Sequence, residues 1–179
     1  MTTNSPTPQK LAPPRVECQC SGNPREMGLT QGTALREKIR GAHESLRKLE
    51  ALRLEQPWWL PYRVFLSAAE RKSEKSLAPA LRQSNPAMLA RMQGIAEGAG
   101  LPMRSICLMN AIEAFIGSVA GRTVVPPLGA CSALAVRGTR SRTGEPMIAK
   151  NFDYLPLLQP FYVLRESRPR DGFRSLDFA

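Results

Sequence analysis

The chain has 179 residues, of which 42% are hydrophobic, and a formal net charge of +10 at pH 7. This composition is typical of a globular protein, and no apolar run approaches the ~18 residues of a membrane span, so we predict no membrane partner. The basic residues are spread along the chain and alternate with glutamates at helical spacing, which is typical of solvated helix faces and favours no nucleic-acid partner.

The sequence predicts a flexible N-terminal lead over residues 1–20, because this segment begins with a polar, proline-rich stretch. This stretch lacks the apolar region of a secretory signal, so we expect a cytoplasmic protein. Cys18 and Cys20 form a single C-x-C pair near its end. Because the chain has one histidine and no second pair of this kind, we predict no metal site and expect half-buried strand residues instead.

Residues 21–130 predict a mainly helical region. Asn23, Pro24 and Glu26 supply an N-cap, a proline at the first helical position and a glutamate at the third, which together indicate a helix start. Apolar residues then recur at spacings of four and three, as on one face of a helix: Leu35, Ile39, Ala42, Leu46 and Leu49. Three further helices are predicted over residues 62–76, 85–98 and 105–115.

Some residues of this region have a structural and a functional interpretation. Gly28 and Gly32 lie on one helix face and would admit close backbone approach, or else mark a poorly formed first turn. Trp58 and Trp59 would line an acyl pocket or pack in the core, and we expect core packing. Cys107 follows an apolar helical pattern and is expected to be a small core residue.

After Pro127 the pattern changes to short apolar runs bounded by glycine or proline. These runs predict strands over residues 132–136, 146–152, 161–166 and 173–178. Gly138 and Gly144 bracket the connection of a first hairpin. The hairpin would bring Asn151 and Asp153 back toward the strand end that holds Cys131.

Cys131 lies between a proline- and glycine-rich loop and a predicted strand. If the thiol attacked the Ala130 carbonyl and water hydrolysed the resulting thioester, Cys131 would keep its thiol and gain a free α-amino group. An α-amino group titrates near ~7.7–8, which suits a proton acceptor that later donates. A nucleophile and its base would then share one residue, and no histidine would be required. The chain's single histidine, His43, lies in a charged helical stretch.

Three segments of the chain resemble one protein family, and they occur in the same order as in that family. They are residues 22–32 (GNPREMGLTQG), residues 94–101 followed by 108–111, and the block of residues 129–136 with 147–154. Together they are similar to the pro-segment and the start of the mature chain of the fungal penicillin acyltransferases (acyl-CoA:6-aminopenicillanic acid acyltransferases), which are N-terminal-nucleophile cysteine hydrolases. A more distant likeness extends to bile-salt hydrolases and acid ceramidases.

The resemblance implies an α+β fold of the αββα sandwich type, incomplete in this chain. It implies a helical pro-segment or α-chain over residues 21–130, after the lead, and the start of a catalytic β-chain over residues 131–179. Cys131 would be the nucleophile, Asp153 would orient its α-amino group, and Asn151 would support the site by hydrogen bonding.

The chain departs from the family in four places, one of which is a connection over residues 137–144 that looks longer than usual. Ala130 stands where the family often has glycine, and Lys150 stands where bile-salt hydrolases have arginine, which disfavours bile-acid substrates. The family's mature chain also runs well beyond the equivalent of Ala179, so we expect a fragment or a truncated product.

The expected function is that of an autoprocessed amidohydrolase or acyltransferase acting on a linear amide, either an acyl-amino acid or a penicillin-like acyl donor, through a Cys131 thioester. The expected partners are the small-molecule substrate and the α- and β-chains of one precursor, without cofactor or metal. The alternatives are a small basic interaction or nucleic-acid-binding protein without enzymatic activity, or an inactive truncated relative.

Overall fold

The computed structural model describes residues 15–120, 131–152 and 156–178. Helices fill most of the first range and strands lie at its start and in the later ranges, which gives the α+β class that the sequence predicts. The helices are α1 (Pro24–Ala34), α2 (Arg36–Leu46), α3 (Glu50–Leu54), α4 (Tyr62–Ser84), α5 (Pro86–Ala99) and α6 (Met103–Ala120). The strands are β1 (Cys18–Gly22), β2 (Cys131–Val136), β3 (Met147–Phe152), β4 (Leu164–Pro169) and β5 (Ser175–Phe178). Two short 3₁₀ helices cover Gly138–Arg140 and Pro156–Phe161.

The described strands form two separate sheets. One has the order β1-β4-β5, with β1 parallel and β5 antiparallel to β4; the other is the β2–β3 hairpin. In the first sheet Cys20 pairs with Ser167, so the early part of the chain is joined directly to its last described range. The chain enters this sheet at Cys18, within the last residues of the lead predicted over residues 1–20. Residues 1–14 lie outside the described ranges.

Local capping fixes the starts of α1 and α5 where the sequence predicts them. The Asn23 side chain accepts a hydrogen bond from the Glu26 amide at 2.9 Å, and the Glu26 carboxylate accepts one from the Asn23 amide at 2.8 Å. Asn85 accepts from the Met88 amide at 3.0 Å in the same way. Helix α5 ends at Ala99, and its C-cap is Gly100, whose φ of 65° is the left-handed conformation that glycine adopts at little cost.

Helices α1 and α5 are in backbone contact through four glycines: Gly28, Gly32, Gly94 and Gly98. A Cβ added at Gly32 or Gly98 would come within 2.5 Å of a backbone oxygen of the other helix. The same addition at Gly28 would collide with the carbonyl of Arg91. This confirms the interpretation of Gly28 and Gly32 as sites of close approach, and it brings Arg91 of α5 beside α1.

The buried apolar side chains form clusters between the helices. One contains Leu46, Leu52, Leu66 and Ile112, and another contains Met92, Ala96, Ile106 and Cys107. Cys107 is fully buried, as predicted. The core position expected for the two tryptophans is wrong: Trp58 is 95% and Trp59 is 66% exposed, because both lie in the turn between α3 and α4.

Helix α4 and strand β4 are among the elements whose extents differ from their predictions. Helix α4 continues to Ser84 through Pro79, because Leu77 and Leu81 extend its apolar face onto the second cluster. The strand expected over residues 161–166 begins three residues later, at Leu164. Phe161 ends a 3₁₀ helix instead, with its ring against Gly41 of α2. Among the described helices, none has both the length and the apolar character to cross a membrane.

Candidate functional site

Cys131 is the first residue of β2, and its thiol is free and exposed. The antiparallel register pairs Cys131 with Phe152, Ser132 with Asn151 and Ala133 with Lys150. The predicted hairpin is confirmed, and the start of β2 lies beside the end of β3. The backbone of Asn151 is thus one register position from Cys131. Ala130 and Asp153 lie outside the described residues.

Tyr162 is a neighbour of Cys131 that the sequence analysis missed. Burial is the main cause that raises the pKa of Tyr162, and a negative charge at Cys131 raises it further. A raised pKa keeps the phenol protonated near neutral pH, and an O–H group within hydrogen-bonding distance of a thiolate would stabilise its negative charge. No sequence pattern indicates this electrostatic effect, because Tyr162 follows the 3₁₀ helix Pro156–Phe161 and is far from Cys131 in the chain.

His43 belongs to a buried polar cluster whose central residue is Glu70. The His43 Nε2 atom lies 3.0 Å from Glu70 Oε1, and the Ser105 hydroxyl donates to the same oxygen at 3.1 Å. Arg104 Nε donates to Glu70 Oε2 at 3.3 Å. In a nucleophile–base pair the hydroxyl would donate to the imidazole, whereas here it donates to the carboxylate. The cluster therefore ties α2, α4 and α6 together and does not activate Ser105.

A cavity of about 410 Å³ lies among α1, α2, α5, α6 and the start of β4. Most of its wall is apolar, with Leu35, Ile39, Met92, Ile106 and Val163 among the lining residues. Gln31, Arg91 and Arg165 form a polar group in the same wall. Gln31 joins the two arginines, because its Oε1 atom accepts a hydrogen bond from Arg165 at 2.7 Å and another from Arg91 at 3.3 Å.

The two guanidinium groups of this wall have different partners. Arg165 makes a two-point ion pair with Asp177, with distances of 2.9 and 3.1 Å. Arg91 Nη2 instead donates to neutral groups, namely the Ser167 hydroxyl at 3.0 Å and the Cys20 sulfur at 3.2 Å, besides Gln31. Sequence reasoning missed the group of Gln31, Arg91 and Arg165, because its members come from three elements, α1, α5 and β4, that are far apart in the chain.

In the part of the chain that the structure describes, no group of three or more His, Cys, Asp or Glu side chains is arranged to hold a metal ion. Cys18 and Cys20, expected to be half-buried strand residues, are fully buried on β1. No protein-family model matches the chain, and a comparison with curated proteins finds no match either.

Proposed function

We propose that the chain carries the nucleophile of an autoprocessed N-terminal cysteine amidohydrolase or acyltransferase of the penicillin-acyltransferase type, with the αββα fold. The observation that carries this proposal is the position of Cys131. It is an exposed thiol at the first residue of a strand, beside the end of the partner strand that contains Asn151.

The proposed reaction begins with cleavage of the Ala130–Cys131 bond. The thiol attacks the Ala130 carbonyl, the peptide nitrogen leaves as the α-amino group of Cys131, and water hydrolyses the thioester and regenerates the thiol. In turnover the thiolate attacks a linear amide, and the departing amine takes a proton from the α-ammonium group. Water or an amine then attacks the thioester and releases the acid or the new amide.

Three neighbouring residues have supporting roles in this proposal. Asp153 orients the α-amino group, and Asn151 supports the site by hydrogen bonding. The protonated Tyr162 is a candidate donor to the negative charge that develops near Cys131, which the effect of Cys131 on its pKa supports. The substrate class is a linear acyl amide, and we propose a cytoplasmic enzyme without metal or cofactor whose α- and β-chains stay together after cleavage.

The test of processing is intact-mass measurement and N-terminal sequencing of the protein made from its complete coding sequence. We expect two polypeptides, the second beginning with Cys131. Cys131→Ala should abolish the cut, while Cys107→Ala, which changes a buried thiol elsewhere, should leave it. An active enzyme that remains one uncut chain would contradict self-processing.

The test of turnover uses the processed enzyme and an acyl-amide substrate. Cys131→Ser should lower kcat by orders of magnitude, and Asp153→Asn by about 10²–10⁴-fold, the usual scale of acid–base contributions. His43→Gln, which keeps a hydrogen-bonding group beside Glu70, should stay within a few-fold of wild type. A folded, processed His43→Gln enzyme as inactive as the Cys131 variant would point to a Cys–His mechanism instead.

A further inference from the structure

The 410 Å³ cavity has the size and the lining of a small-molecule site. Such sites span about 300–1,000 Å³ and combine an apolar wall with a few convergent polar groups. Here the apolar wall comes mainly from α2, α5 and α6, and the polar groups are Gln31, Arg91 and Arg165. Cys131 is not among the residues that line the cavity, so this site is separate from the proposed nucleophile.

The charges around the cavity leave one positive charge without a matching carboxylate. Asp177 is engaged by Arg165, and Glu17 is engaged by the cavity-lining Lys38 at 2.6 Å. Arg91 donates only to neutral acceptors in the described ranges, where its Nε atom is buried without a hydrogen-bond partner. Three cationic side chains therefore face two carboxylates, and the excess charge belongs to Arg91.

An unpaired guanidinium beside an apolar wall is unfavourable, because burial removes water from a charge that no anion replaces. In keeping with this cost, burial is the main cause that lowers the pKa of Arg91 and the positive charge of Arg165 is the next, while Asp177 and the cysteines of β1 act in the opposite direction. A bound monoanion would supply the missing partner, and a carboxylate matches the planar fork of a guanidinium.

We propose that this cavity binds an amphipathic monocarboxylate. Its carboxylate pairs with Arg91, and its apolar tail lies against Leu35, Ile39, Met92 and Ile106. A phosphate monoester would bring up to two negative charges to a wall with one in excess, so a carboxylic acid with an aliphatic tail fits better. This inference does not rest on the role proposed for Cys131.

Decanoate is a suitable probe, and decanol, with the same tail and no charge, is its control. In calorimetric titrations we expect decanoate to bind the chain at least tenfold more tightly than decanol, the factor expected from one charge-assisted hydrogen bond. Arg91→Gln should remove that preference, whereas Arg82→Gln, an exposed change on α4, should keep it. Equal affinity for the two probes, or an unchanged preference in folded Arg91→Gln protein, overturns the proposal.

A second pair of variants leaves the hydrogen bonds of Arg91 in place. The proposal can therefore be tested even if Arg91→Gln fails to fold. Met88 lines the cavity and is 39% exposed, so polar groups are tolerated there. Met88→Glu should weaken decanoate binding several-fold by repulsion, while Met88→Gln should change it less than twofold. Equal effects of the two changes contradict the carboxylate assignment. Cys131→Ala should bind decanoate like wild type, which separates this inference from the proposed enzyme.

Discussion

At the residue scale, the four cysteines differ sharply in exposure. Cys18, Cys20 and Cys107 are buried, and Cys131 is exposed. Burial, followed by the nearby charge of Glu74, raises the pKa of Cys107 to about 11, and burial is also the main cause that raises the pKa of Cys18. Since the thiolate is the reactive form, these thiols are protected in two ways, by inaccessibility and by protonation.

We therefore predict that a thiol reagent labels one cysteine rapidly in the native protein near pH 8. All four should react after denaturation. Mass spectrometry should place the rapid label on Cys131, and Cys131→Ala should remove the fast phase, while Cys107→Ala should not. Fast native labelling of Cys18 or Cys20 would contradict the burial of β1.

Glu166 predicts a pH dependence of stability. Its buried carboxylate accepts a hydrogen bond from Arg168 at 2.8 Å and also pairs with Arg174. The hydrogen bond from Arg168 is the main cause that lowers the pKa of Glu166 below its ordinary value of 4.5; burial opposes it, and the charges of both arginines add to it. A lowered folded-state pKa contributes stability above the unfolded-state value, and that contribution disappears as pH falls through the folded-state value.

Glu166→Gln should consequently lower the free energy of unfolding near pH 7, and its deficit should shrink as the pH falls below about 4. Urea denaturation at a series of pH values measures both effects. Glu145→Gln, which changes an exposed carboxylate in the β2–β3 connection, is the matched control and should show little deficit at any pH. A deficit for Glu166→Gln that grows in acid would contradict the assigned ion pairs.

At the element scale, the backbone contact between α1 and α5 determines how closely the helices approach. Gly28→Ala would place a methyl group against the backbone carbonyl of Arg91, which cannot move as a side chain does. We predict a loss of about 1–3 kcal/mol in the free energy of unfolding, as for other overpacked contacts. Thr33→Ala on the exposed face of α1 should change it by less than about 0.5 kcal/mol. Equal effects of the two substitutions in urea denaturation would contradict the close contact.

The elements that the sequence predicts well are those fixed by neighbours in the chain. The Asn23 capping box, the Asn85 cap and the β2–β3 hairpin each depend on residues within one local segment. The pairing of His43 with Glu70 and the group around Arg91 depend on helices that meet only in the folded molecule. The positions of the two tryptophans also depend on the folded molecule: their hydrophobicity predicts a core, but in the described structure the turn that carries them leaves both side chains exposed.

At the scale of the whole molecule, the β2–β3 hairpin is exposed on both faces in the described structure. Leu134 on β2 is 63% exposed, and Ile148 on β3 is 82% exposed. A two-stranded hairpin without a packed face has marginal stability in water. We predict that amides of β2 and β3 exchange hydrogen orders of magnitude faster than the central amides of α5, as hydrogen-exchange mass spectrometry can measure. Equal protection would contradict this exposure.

The parallel pairing of β1 with β4 also has a consequence for synthesis of the protein. Cys20 and its partner Ser167 are 147 residues apart in the chain. At a synthesis rate of 5–20 residues per second, β4 therefore leaves the ribosome about 7–30 s after β1. Helices α1 to α5 are synthesised well before that, and the glycine contact between α1 and α5 involves helix residues alone. A nascent chain arrested before residue 164 would therefore hold its helices together while β1 had no partner strand. The unpaired backbone N–H and C=O groups of β1 would then be available to pair with a strand of another chain.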